Sequence, residues 1–136
     1  MAMAIADIWL KSVLTDAALL VLAPGGAHNG GAPKGTVGRF VVFSHQAGHD
    51  VMGTGTARIM TTLNYLVKVV SQDQSAVAGD AALARVDALL HGGKGAVTGG
   101  WVLSCVRLTT VGYGTIENGI SYRHRGGIYQ ITVTTN

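Results

Sequence analysis

The sequence predicts an α+β domain, an antiparallel sheet of about four to five strands with two helices packed on one side, in the order α-β-β-α-β-β. Three observations carry that expectation. Leu63, Tyr65, Val67 and Val69 alternate with Asn64 and Lys68 at period two, the signature of a half-buried strand. From Ala76 the period lengthens: Gly79, Ala82, Leu83, Val86, Leu89 and Leu90 gather on an arc of about 120°, with Asp80, Ala84, Asp87 and Ala88 opposite. Asn118-Gly119 stands between two strand-like runs and is the strongest short hairpin signal in the chain. A helix with one apolar stripe needs a sheet to lie on, and the strands before and after it can supply one.

The elements follow in order. Ile5, Ile8, Trp9 and Val13 are spaced as one face of a helix, with Asp7 and Lys11 forming an i, i+4 pair outside. Thr15-Asp16 caps a second short helix over residues 17–22, and Pro24-Gly25-Gly26 ends it. Residues 24–36 read as a mobile loop. Arg39 to Ser44 is a strand, apolar on both faces and therefore central. Residues 45–56 read as a glycine-bearing loop at the tip of a hairpin whose second strand is Ala57 to Val70. Ser71 to Ser75 supplies capping groups for the main helix, and His91-Gly92-Gly93 stops it. After a connector at 92–100, Trp101 to Val111 is a strand with Trp101, Leu103 and Cys105 on one face and Val102, Val106 and Leu108 on the other. Gly112-Tyr113-Gly114 bends it. Tyr122 to Thr135 closes the sheet, with Gly126-Gly127 as a bulge or bend.

Composition bounds what such a domain can do. A chain of 136 residues is one domain, 1–136, and can bury a core. Charged residues make up 12%, about half the usual share, so much of the surface is suited to partners. Ten Lys and Arg are scattered and give a formal charge of only +3, without the basic stripe of a dedicated nucleic-acid binder. Cys105 is the single cysteine, which excludes an internal disulfide, and its apolar surroundings predict a buried, inert thiol. No targeting segment stands out, and the apolar run at 17–23 is too short to span a bilayer, so the expectation is a soluble protein without a membrane partner.

Sites of chemistry are scarce. Ser44, His45, His49 and Asp50 form the densest polar group, but no third metal ligand accompanies the two histidines. Neighbours on one loop rarely reach triad geometry. Gly92-Gly93-Lys94-Gly95 lacks the spacing and the following Ser or Thr of a phosphate loop, and it follows a helix instead of preceding one. Arg123-His124-Arg125 is a short basic cluster in a strand, suited to a solvated edge, inter-subunit ion pairs or nucleic-acid contact. No catalytic constellation emerges, so the protein is not expected to be an enzyme or to carry a cofactor.

The order of motifs resembles the tail terminator, or tail completion, proteins of long-tailed bacteriophages. Four segments carry the likeness: the helical Ile5–Leu22 stretch broken at Leu14-Thr15-Asp16-Ala17-Ala18, the strand Phe40-Val41-Val42-Phe43, the Asn64–Val70 strand leading into the helix with Leu83, Val86 and Leu90, and Glu117 to His124 running into Ile128 to Val133. They span nearly the whole chain, and their conjunction is what persuades. The resemblance implies a structural role in the virion tail or neck, the chain being made in the host bacterial cytoplasm. It implies a homo-hexameric ring that caps the tail tube protein, stops its polymerisation and joins the head-closure or connector protein, while genome DNA passes through without sequence recognition. Under that reading His49, Asp50, Val51 and Met52 are candidate contacts to the tube or the next subunit, with Val51 and Met52 as an apolar anchor in a flexible tip. Arg123 and Arg125, two apart and so on one face, are candidate charges of the channel wall or a subunit boundary. Another neck ring is the alternative, followed by a small RNA-binding module using Tyr122, Tyr129 and Arg123, and by a small hydrolase using His45 or His49.

Overall fold

The computed structural model describes residues 2–36, 38–55, 58–72 and 76–135, with the side chains of residues 58 and 76–78 left aside. Helix α1 (Ala2–Val13) and short helix α2 (Ala17–Leu22) lead into strand β1 (Ala27–Asn29). The long strands β2 (Phe40–Met52) and β3 (Arg58–Ser71) follow, then helix α3 (Ala76–Leu90), strand β4 (Gly95–Val97) and the hairpin of β5 (Gly100–Glu117) and β6 (Ile120–Thr135). They build one six-stranded sheet in the order β1-β2-β3-β6-β5-β4. The mixed class is as expected and the order of the long elements roughly so, but the described residues form three helices where two were expected and six strands where four to five were expected. The two additional strands are three-residue pieces inside segments expected to be loops, and β1 pairs with β2 in parallel, so the sheet is not wholly antiparallel. Both pieces are edge strands, too short for periodicity to mark them in a sequence.

The core lies between one face of the sheet and the helices. Val41 and Phe43, Leu63 to Val69 in alternation, Tyr129, Ile131 and Val133 pack against Ile5, Trp9 and Leu10 of α1 and Ala82, Val86 and Leu90 of α3. The period-two and helical patterns thus meet as the sequence predicts. Two buried tyrosines fix how the helices sit. Tyr65 donates to the Asp7 carboxylate at 2.6 Å, and Tyr129 donates to Asp87 at 2.9 Å. Burial and these carboxylates push both phenols well above their ordinary range. Asp7 is therefore turned toward the sheet, and Lys11 donates to the Ala27 carbonyl instead of pairing with Asp7. Asp87, expected on the solvent side of α3, is half-buried for the same reason. Asp16 caps α2 through the Leu19 N–H at 3.0 Å, as expected, and is also gripped by both Nε and a terminal nitrogen of Arg85. That fork ties α3 to α2 and holds the Asp16 carboxyl below its ordinary value. The residues expected to cap α3 include 73–75, which lie outside the described residues.

Three local expectations are corrected. Residues 45–52 are strand, not loop: β2 runs to Met52 with a register shift between His45 and Ala47. Hydrogen bonding to β3 orders a stretch whose glycines suggested flexibility. In β5 the shifts between Val102 and Ser104 and between Arg107 and Thr109 each insert a residue and change which face follows. Val102 and Cys105 are consequently the buried pair, while Trp101, Leu103, Val106 and Leu108 are all exposed. Gly126-Gly127 makes no bulge, because the ladder runs unbroken through it on both sides. A Cβ at Gly126 would lie 2.0 Å from the Val67 carbonyl oxygen, so close backbone approach explains that glycine. The Asn118-Gly119 turn holds, with φ of 51° and 79°, the left-handed pair of a type I′ hairpin.

Candidate functional site

The ladder between β3 and β6 extends only from Thr61↔Val133 to Ser71↔Arg123. Past the second limit the β5–β6 hairpin continues alone, while past the first β6 still runs to Thr135 and Thr134 Oγ1 donates to the Ile59 carbonyl at 3.2 Å. The β2–β3 hairpin runs past one end of the central ladder to Met52↔Arg58, and the β5–β6 hairpin runs past the opposite end to Glu117↔Ile120. Two arms therefore project from opposite ends of a helix-covered centre. Both bear apolar side chains in solvent: Met52 is 50% exposed and Ile59 54% on the first, Ile116 75% and Ile120 43% on the second. Each hairpin end thus leaves apolar side-chain surface in solvent.

Of the residues singled out in sequence, Val51 and Met52 lie on the first arm, His49 and Asp50 at the end of the central ladder beside it, and Arg123 and Arg125 at the root of the second. His49, Asp50, Val51 and Met52 form the outer part of β2, opposite Thr62, Thr61, Met60 and residue 58. Asp50 accepts a hydrogen bond from Thr61 at 2.9 Å, and Val51 is half-buried. Arg123 and Arg125 share one face of β6, as expected, and it is the face that bears the helices. Arg125 forms an ion pair at 2.6 Å with Asp80 of α3 in its own chain, while Arg123 is exposed opposite Gly114 of the β5 arm. The sequence thus places the pair correctly on one face without revealing the partner on α3, which is 45 residues away. His45 meets Tyr65 edge-on with ring centroids 5.5 Å apart, away from His49. Among the described residues no three His, Cys, Asp or Glu side chains come together to hold a metal ion. Cys105 is fully buried, and burial together with Asp87 pushes its thiol up to about 12.

On the helix-free face a polar cluster marks the root of the β5–β6 arm. Tyr113 stacks on His124 with centroids 4.5 Å apart and planes within 6°. Lys68 donates to the Tyr113 hydroxyl at 2.6 Å and sits 5.2 Å from the ring centre. His124 Nε2 shares a hydrogen bond with Thr115 Oγ1 at 2.8 Å, and its buried Nδ1 has no partner. Burial first and the Lys68 charge second hold this imidazole below its ordinary value. The 30–36 segment leans over the same face, leaving a cleft of about 430 Å³ bounded by Phe40, Val42, Lys68, Tyr122 and His124. Sequence reasoning missed the β5 arm as a functional feature. Its signal was length: 18 residues of strand are about three times the usual run, more than the core can cover.

No family model matches the chain, and no curated protein matches it. Among solved structures, the chain is similar to a chain described as "Virion of native gene transfer agent (GTA) particle", with a TM-score of 0.70 over 92% of this chain and 91% of that one, at 18% identity. At that identity the likeness shows a shared fold. It includes nearly every element of both chains. In the described residues no helix is long and apolar enough to cross a membrane.

Proposed function

We propose that this protein is a structural component of a phage-like virion, a ring-forming tail terminator that caps the tail tube and joins the tail to the head connector. One observation carries the reading: the fold is shared over 92% of this chain with a chain from the virion of a gene transfer agent particle, and it ends in two hairpins with exposed apolar side chains. A subunit completed by its neighbours needs such arms; a self-contained enzyme does not. The low share of charge supports the same reading. In this role the arm at His49, Asp50, Val51 and Met52 meets the last tube ring or the adjacent subunit, and DNA passes through the ring without being read.

Electron microscopy of particles made without this protein tests the proposal. Overlong tails are expected, because polymerisation then has no stop. Tails of normal length that fail to join heads would instead assign the protein to a head-side neck ring. Normal particles would refute both.

A further inference from the structure

We infer that the β5 arm of one copy pairs, antiparallel and edge to edge, with the β2 arm of the next copy, and that this pairing is what closes the ring. The inference rests on the ring-forming reading above and names the surfaces that make it.

The starting point is which sheet edges the fold protects. Along β5 the outer edge is covered first by β4, which pairs with Gly100 to Val102. The turn after α3 takes over from there: Gly92 N–H donates to the Cys105 carbonyl at 2.7 Å, and the Arg107 N–H donates to His91 Nδ1 at 3.1 Å. From Leu108 to Glu117 no strand lies beside β5 among the described residues. Along β2 the protection also stops abruptly. β1 covers Val41 to Phe43, Gly30 N–H caps the Phe43 carbonyl at 2.9 Å, and among the described residues no strand follows alongside the remainder. The chain thus shields the first part of each edge strand and leaves the remainder without a neighbouring strand among the described residues.

The two open stretches suit each other. Residues 108–117 and 44–52 are nearly equal in length, and neither contains the Lys, Arg or Pro with which edge strands are commonly blunted. Their directions agree as well. In the order β2-β3-β6-β5 every step is antiparallel, so β5 runs opposite to β2, and a second sheet laid alongside in the same orientation meets it antiparallel. The offset between the arms is also informative. Tracing the ladder from Thr109 through Ile128 and Leu66 arrives at Ser44, so the open stretches of β5 and β2 begin at the same level of the sheet and run from it in opposite directions. Centring one arm on the other shifts the neighbour by about seven residues, roughly 23 Å, across four strands spanning roughly 19 Å. Strands then incline at about 50°, slightly beyond the 35–45° tilt of closed barrels. A large stagger is what a closed cylinder of tilted strands requires. The helices take the outside, where there is room, and Asn64, Lys68, Gln130 and Thr132 face the lumen.

The test uses full-length chains in a Cys105→Ala background. Two carry a cysteine on the helix-free face of the β2 arm, Ala47→Cys or His49→Cys, and two carry one on the same face of the β5 arm, Val111→Cys or Thr115→Cys. Each is oxidised alone and in β2–β5 mixtures, and masses are read under native and denaturing conditions. Disulfide-linked species are expected in at least one mixture and in none of the single variants, because the contact joins unlike edges. Crosslinks between two β5 variants would overturn the inference in favour of a two-fold β5 pair. A native hexamer without any mixed crosslink would overturn it while leaving the ring intact. Mixed crosslinks in open chains of varying length would uphold the edge pairing and refute the closed ring.

Discussion

A single imidazole shows how strongly surroundings set behaviour in this fold. His124 is stacked on Tyr113 and bonded to Thr115, and burial first and the Lys68 charge second disfavour its protonated form in the folded chain. The sign of the consequence is fixed. Below the ordinary value of 6.5 the unfolded chain takes up a proton that the folded chain still refuses, so stability falls as pH drops through that window and is untouched above it. The denaturant midpoint of the parent should therefore decline from about pH 7 to about pH 5, and more steeply than that of His124→Gln. Identical slopes would show that His124 does not couple to folding. The histidine itself was visible in sequence, but the three side chains that tune it come from strands separated by up to 56 residues and were not. Cys105 was easier to read, because an apolar run around a thiol already implies burial.

Elements carry two further predictions. Leu90 is fully buried in the last turn of α3 against the sheet, so Leu90→Ala should cost about 2–5 kcal/mol in chemical unfolding. A loss below about 0.5 kcal/mol, the size of ordinary surface changes, would mean that the helix does not pack as described. The β2 arm behaves differently. Val51 and Met52 lie outside the core, so replacing both with Ser should alter unfolding by no more than about 0.5 kcal/mol per site. Tails assembled with that variant should nonetheless be irregular in length, and uniform tails joined to heads would remove the arm from termination. The helix was legible because its stripe extends over four turns. The arm was legible only as a place of interest: its residues were chosen for apolar character in a glycine-bearing segment, and the sequence read as loop what cross-strand hydrogen bonds make strand.

At the scale of the whole molecule, two arms leave the core at opposite ends and on opposite edges of one sheet, an arrangement suited to head-to-tail association. Arg123 and Arg125 lie where the β5–β6 arm leaves the core, on the helix-bearing face. The Arg125–Asp80 pair is largely solvated, and such pairs contribute about 0–1 kcal/mol, so reversing both arginine charges should leave the monomer folded. It should shift the native mass toward smaller species, with the shift reduced at high salt, because screening weakens boundary charges. A mass distribution unchanged from the parent at low salt would free both residues from any boundary role.

The sequence by itself determined the mixed class, the position of the main helix, the existence and order of the four long strands though not their extents, the type I′ turn and the buried thiol. Each of these is set by neighbours within one element: period two against period 3.6, a turn that needs two left-handed residues, an apolar run around a sulfur. What only the tertiary structure decided depends on partners distant in the chain. The short strands β1 and β4 exist because longer strands offer them an edge. The face of Trp101, Leu103 and Val106 turns on two inserted residues that no alternation can foresee. Asp87 turns inward because Tyr129 reaches it across the core. Which edges stay open, and therefore where a second copy can join, follows from where β1, β4, Gly92 and His91 stop covering them, and that is a property of the folded sheet alone.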